Sequence, residues 1–202
     1  ILHYNASSWS AMDSHTTNDL FDVFGFQNGR AFAVGANGTV LSLNGGTWSA
    51  LDVGPAVNYF GVWGASPDSM YVVGVGGSIV RSGGGDWTFM DSPTANNISS
   101  VYGFSTRAVF AAGDAGTILR YDGASWTTMD SGTGANLYDV NGLAPTDLWA
   151  AGANGTILHY NGSAWSTSAS GTTFDLFGVF ARGNGGVYAV GDAGTILRYS
   201  SN

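Results

Sequence analysis

Any chemistry in this chain has to come from aspartate, histidine, arginine and hydroxyl groups. The 202 residues carry 14 acids against 6 bases, a net charge of −8, and every acid is Asp and every base Arg. There is no Cys, so thiolate nucleophiles, thiolate metal ligands and disulfides are excluded. Glycoside hydrolysis needs two carboxylates in different environments. The Asp residues supply the groups, but none stands where the repeating pattern breaks. A Ser-His-Asp arrangement needs one singular His. His3 and His159 share a repeated position with Ser42, Arg81, Arg120 and Arg198, which reads as a polar strand face, and His15 falls in a loop. Asp114 and Asp192 lie in Gly-Asp-Ala-Gly turns, where Asp bonds its own backbone. No Asp-x-Asp-x-Asp loop suits calcium and no His spacing suits zinc. The expectation is no catalytic residue, no metal and no cofactor.

The recurring positions hold the stronger candidates. Asp19, Asn58, Asn97, Asn136 and Asp175 follow one another at a constant step of 39. Placed just ahead of a strand, they would circle one opening and offer a site for a sugar, a cation or a peptide. An Asx turn starting each strand accounts for the same residues, and a feature of every repeat is first explained by the fold. Trp9, Trp48, Trp87, Trp126 and Trp165 keep that step too. They read as a structural column packed between neighbouring sheets, with sugar-stacking shelves as the other reading. Arg30, Arg107 and Arg182 fall in the connections that differ most between repeats and are the expected partner contacts.

A tandem repeat positions all of these. Gly35, Gly74, Gly113, Gly152 and Gly191 form one column, Gly38, Gly77, Gly116, Gly155 and Gly194 a second, and Val23, Val62, Val101, Val140 and Val179 a third. Their common period runs without insertion or deletion. In one period, residues 59–64, 70–73, 78–81 and 86–90 are short apolar runs parted by Gly or Asp turns, which gives four antiparallel strands, A to D. Both glycine columns are expected at positive φ. The 32 Gly, 7 Trp, 9 Tyr and 11 Phe fit short strands and tight turns. The absence of Lys and Glu removes good helix formers.

Four antiparallel strands in tandem describe a propeller blade. The expected fold is all-β, a five-bladed β-propeller in one domain over residues 1–202. Residues 1–13 supply strands C and D. Residues 14–52, 53–91, 92–130 and 131–169 are whole blades, and 170–202 supply strands A to C of the last. The N-terminal strand D is expected to join those three and close the ring, which removes sheet edges. Residues 1–4 and 196–199 then compete for one C position, and strand exchange between chains is the alternative to a closed monomer.

The unit reads L-x-x-V-x-G, then A-V-G-x-x-G-T-I-L-x-Y-x-G-x-x-W. It is carried by Ala112-Gly113-Asp114-Ala115-Gly116-Thr117-Ile118-Leu119-Arg120-Tyr121-Asp122-Gly123 and Trp126. It resembles tandem repeats of secreted or surface-exposed bacterial proteins, related to BNR/Asp-box and photosystem-assembly-factor propellers. Asp122-Gly123-Ala124-Ser125-Trp126 is one residue shorter than the Asp-box spacing. The resemblance implies a propeller and an extracellular or cell-surface setting. Asp-box propellers include sialidases, whose nucleophile needs a Glu that this chain lacks.

The expected function is a non-catalytic binding or scaffold propeller with a protein or glycan partner. The alternative is a lectin with one shallow site per blade, and an enzyme with a single top-face pocket comes third. Six scattered Arg on an acidic chain leave no footprint for nucleic acid. No apolar run approaches the roughly 20 residues of a membrane span. The chain opens in mid-pattern at Ile1-Leu2-His3-Tyr4, so a natural start upstream is expected.

Overall fold

In the computed structural model, which describes residues 1–83, 85–183 and 186–200, each period folds as one sheet. A first hairpin pairs β1 (Leu2–Tyr4) with β2 (Trp9–Ala11). The first full sheet is β3 (Leu20–Gly25), β4 (Ala31–Gly35), β5 (Val40–Asn44) and β6 (Thr47–Ala50). The second is β7 (Tyr59–Ser66), β8 (Ser69–Gly74), β9 (Ile79–Gly83) and β10 (Asp86–Phe89). The third is β11 (Ile98–Ser105), β12 (Ala108–Gly113), β13 (Ile118–Tyr121) and β14 (Trp126–Met129). The fourth is β15 (Leu137–Ala144), β16 (Asp147–Gly152), β17 (Ile157–Tyr160) and β18 (Trp165–Thr167). A last sheet has three strands, β19 (Leu176–Arg182), β20 (Gly186–Gly191) and β21 (Ile196–Ser200). Strands pair antiparallel in chain order, A to D. Gly84 of one expected turn, and Asn184 and Gly185 of the last A–B connection, lie outside the described residues.

The B–C turns show why these residues recur. Asn37, Gly76, Ala115, Asn154 and Ala193 sit in mid-turn at φ between 52° and 64°, and the second glycine column follows at positive φ, as at Gly38 with 74°. The first glycine column behaves differently from the sequence expectation. Gly35 has φ −169° and Gly113 −167°, an extended backbone open to any residue. Glycine is needed there for space. A Cβ on Gly35, Gly74, Gly113, Gly152 or Gly191 would collide with the backbone carbonyl oxygen of the Asx residue that precedes strand A.

The second, third and fourth full sheets each bury one face on the sheet before and the other on the sheet after. Val62, Val101, Val140 and Val179 face backward and are buried, whereas Val23 of the first full sheet is 59% exposed. Val34, Val73, Ala112 and Ala151 face forward and are fully buried, whereas Val190 of the last sheet is 47% exposed. The core is therefore a series of seams. One gathers Tyr71, Val73 and Ile79 against Val101, Leu119 and Trp126; the next sets Phe110, Ala112 and Ile118 against Val140, Leu158 and Trp165.

The ends differ from the closed ring expected from the sequence. β2 pairs with β1, and β21 keeps a free edge. The hairpin instead seats Ile1 and Met12 on Ala33, Leu41 and Trp48 of the first full sheet.

Candidate functional site

Of the five Asp and Asn residues ahead of strand A, four lie at the seams between full or last sheets, where their side chains link one sheet to the turn of the sheet before. Asn58 Oδ1 accepts the N–H of Asn37 at 3.0 Å. Asn97 does so from Gly76 at 3.0 Å, Asn136 from Ala115 at 2.9 Å and Asp175 from Asn154 at 2.8 Å. Each donor is the mid-turn residue at positive φ, whose outward N–H has no partner in its own sheet. The backbone carbonyl of the same Asx residue accepts the first N–H of its own sheet's turn, as from Asp114 to Asn97 at 2.9 Å. One residue thus clamps two turns. Asp19 keeps the backbone half, accepting from Ala36 at 2.9 Å, but among the described residues no donor reaches its carboxylate.

This end of the molecule holds the D–A connections and the B–C turns, and it is acidic. Asp13, Asp19, Asp52, Asp91, Asp114, Asp130, Asp175 and Asp192 all lie there. Asp114 accepts from Asn97 Nδ2 at 2.9 Å. Tyr138 donates to Asp175 Oδ2 at 3.2 Å. Burial raises the Tyr138 phenol pKa, and so do its bond to Asp175 and the charges of Asp175, Asp114 and Asp192. Asp175 thus bonds the tyrosine directly, while Asp114 and Asp192 act on it through their charge. His15 is here too, with Nδ1 3.2 Å from Asp13 Oδ2, both exposed.

All six Arg lie at the opposite end or in the half of strand C that leads to it. Arg30 reaches Asp68 of the next A–B connection at 3.5 Å and stands 5.8 Å from the Phe32 ring centroid. Arg107 lays its aliphatic stem across Gly123. Arg182 closes β19 and is exposed. Arg81 is held by Tyr71 and Tyr121, 5.5 Å and 6.0 Å from their centroids.

The Trp column fills the seams. Trp126 packs 5.3 Å from Tyr121 and 6.3 Å from Tyr71, and its Nε1–H donates to Met90 Sδ at 3.4 Å. Trp48, Trp126 and Trp165 are buried, so none presents a full ring face to a sugar; Trp9 alone is widely exposed. Shallow grooves recur at the outer rim beside this column. One of about 470 Å³ lies between Met90 and Trp126, and one of about 320 Å³ between Met129 and Trp165.

A second set of seam bonds, on the innermost strands, is missed by the sequence reading. Asp22 accepts from Val62 N–H at 2.9 Å in the next sheet. Asp139 accepts from Val179 N–H and from Ser100 Oγ, each at 2.8 Å, and Asn141 accepts from Ala181 N–H at 3.0 Å. A bulge opens strand A in every sheet, between Leu137 and Asp139 for example, and it re-aims the Asp22 and Asp139 side chains toward the neighbouring sheet. The available signal is the column Asp22, Gly61, Ser100, Asp139 and Gly178, small or acidic on an otherwise apolar strand.

Burial pushes Asp139 up to about 6 and raises Asp22 as well. Each oxygen of both carboxylates already accepts a hydrogen bond from the chain, so they serve the seams rather than a reacting group. His159 is similarly engaged, with Nε2 2.9 Å from Asp147 Oδ1 and its ring stacked 4.2 Å from Trp149. No group of three His or Asp residues able to hold a metal ion occurs among the described residues.

No protein-family model matches the sequence, and no curated protein matches it. Solved structures do match. YCF48 bound to D1 peptide superposes with a TM-score of 0.72 and 19% identity over 98% of this chain and 69% of that one. Virginiamycin B lyase from Staphylococcus aureus gives 0.73 and 11% over 93% and 71%. The WD40 β-propeller domain of Doa1 gives 0.74 and 16% over 91% and 66%. At such identities the likeness is one of fold: the successive antiparallel sheets, each packed face to face on the next, are those of a β-propeller.

Proposed function

We propose that the chain is a non-catalytic five-bladed scaffold that binds a protein partner for a bacterial extracellular or surface protein. The observation that carries this reading is the division of labour among polar groups. Four of the five Asx side chains, the inner-strand carboxylates and His159 are engaged by the chain itself. The A–B end differs from sheet to sheet in sequence and carries exposed Arg107 and Arg182. One structural neighbour was solved with a bound peptide, which supports a peptide as the kind of ligand this architecture accepts. The lyase shares the fold only. The extracellular setting rests on the resemblance of the repeat unit.

Arg30, Arg107 and Arg182 mark the partner face, and its charge favours an acidic segment. A synthetic peptide array probed with the folded chain tests this. Acidic peptides should be retained and then lost by the combined Arg30→Ala, Arg107→Ala and Arg182→Ala variant. Unchanged retention would place the partner elsewhere.

A second reading has one observation in its favour. The rim grooves beside Trp126 and Trp165 are equivalent, as a lectin with one site per blade requires, and such weak sites would gain avidity on a multivalent glycan. A glycan-array signal weakened by Met90→Ala or Met129→Ala would move this reading to the front. A blank array would remove it.

A further inference from the structure

We propose that the free edge of β21 is a docking site for the Trp9 strand of a second copy of this chain. The inference is independent of the ligand-binding reading and rests on what is missing at one end and unused at the other.

In the third sheet, Trp126 on strand D fills the space between Tyr71 of the sheet before and Tyr121 beside it. The last sheet shows no strand D among the described residues, and the corresponding space is a cavity of about 130 Å³ whose walls include Trp149, Val179, Leu197 and Tyr199. Trp149 and Tyr199 stand there 5.1 Å apart, centroid to centroid, in the places that Tyr71 and Tyr121 take around Trp126. Trp9, the column member without a seam, is 68% exposed and touches only the ring of Tyr4 among aromatics, at 5.4 Å. One seat is vacant and one indole of the matching column is unplaced.

The polar clamp points the same way. Every internal seam joins a mid-turn N–H to an Asx side chain 21 residues later. Among the described residues, no side chain at the tail accepts the N–H of Ala193 and no donor at the head reaches the Asp19 carboxylate. Gly194 has open space where Gly116 meets the backbone of the following sheet. Tail and head therefore carry the two halves of one more seam.

The occupant is a second copy because this chain adds no strand of its own to β21 among the described residues. Its own β2 is held by β1 on the first full sheet, while the forward-facing side chains of the tail lie open, with Phe180 58% and Ile196 75% exposed. β21 repeats β1 almost residue for residue, Ile196-Leu197-Arg198-Tyr199 against Ile1-Leu2-His3-Tyr4. Replacing β1 beside β2 by the β21 of another copy exchanges like for like and covers the exposed tail. The contact joins different surfaces, so it is head-to-tail.

Light scattering on the full chain across a range of concentrations tests this. The chain should associate as concentration rises. Trp9→Ala should weaken association by about a hundredfold, as loss of a central indole anchor does, and Ile196→Asp should weaken it through the other partner surface. Both residues are exposed in the single chain, so both variants fold. A peptide of residues 5–13 should compete and release monomer. A chain that stays monomeric while Trp9→Ala lowers its Tm closes on itself and overturns the proposal. So does a monomer indifferent to Trp9→Ala, and so does association that survives both substitutions.

Discussion

The Asx residue before strand A shows how one side chain decides a seam. Its carbonyl closes its own turn and its side chain caps the turn of the preceding sheet, so removing the side chain leaves a backbone N–H without a partner. Asn97→Ala loses the bond to Gly76 and the bond to Asp114. It should cost about 0.5–1.5 kcal/mol in urea unfolding, the net worth of a hydrogen bond whose donor, on exposed Gly76, can turn to water. Asp19→Ala removes a carboxylate with no donor, so in dilute solution it should shift stability by less than about 0.5 kcal/mol. Equal losses at the two positions would show that the side-chain bond is not what matters. The donor of the equivalent bond to Asn136, Ala115, makes a second prediction. Ala115 holds φ 52°, a left-handed conformation that an L-residue with a Cβ resists. Ala115→Gly should therefore stabilise the chain by about 0.5–1 kcal/mol, after the added freedom of the unfolded glycine is counted. A loss of stability would mean that the alanine methyl makes a contact worth more than the strain.

Among the elements, strand A carries the most consequence, because its opening bulge turns carboxylates toward the next sheet. Burial holds the folded Asp139 at about 6 against an ordinary 3.8. The folded state keeps this proton where the unfolded chain has released it. Its contribution is fully present below about pH 4 and is lost as pH rises through 6, about 3 kcal/mol in all. Burial raises Asp22 too, which adds to the same slope. Unfolding free energy measured at pH 4.5 and 7.5 should fall between the two for the native chain. Asp139→Asn should flatten the fall whatever its effect on absolute stability, and an unchanged slope would assign the titration elsewhere. The four-strand unit, the turns and the Trp column were legible in the sequence, because each recurs at one period and each residue type has a local reason to be there. The bulge and the inner-strand bonds were not. Asp139 reads as one acid in an apolar run, and only the neighbouring sheet supplies the Val179 N–H that explains it. The glycines before the turns were legible as glycines but not for their reason, since the crowding carbonyl belongs to a residue some 16 positions away, Asp19 for Gly35.

For the molecule as a whole, the repeat that builds the seams also leaves two of its faces unfinished. A stack of near-equivalent sheets gains stability at each interface and needs something to cover its ends. The exposed end residues, Leu2, Tyr4 and Trp9 at the head and Val190 and Ile196 at the tail, belong to columns that the interior largely buries. Their exposure follows from their places on the outer faces of the first hairpin and the last sheet. Charge does not oppose their meeting within one seam, because the acidic D–A ends and the Arg-bearing A–B ends lie above and below the apolar columns. If head-to-tail contact completes the last sheet, folding and association are linked, and the folded state gains stability by mass action as the chain becomes more concentrated. The Tm of the native chain should then rise with protein concentration. Trp9→Ala should give a Tm that concentration does not move and that equals the native value at high dilution, because Trp9 touches little in the single chain. A native Tm independent of concentration but above that of Trp9→Ala would instead locate the indole in a seam of its own chain, and the completed ring would be a monomer's.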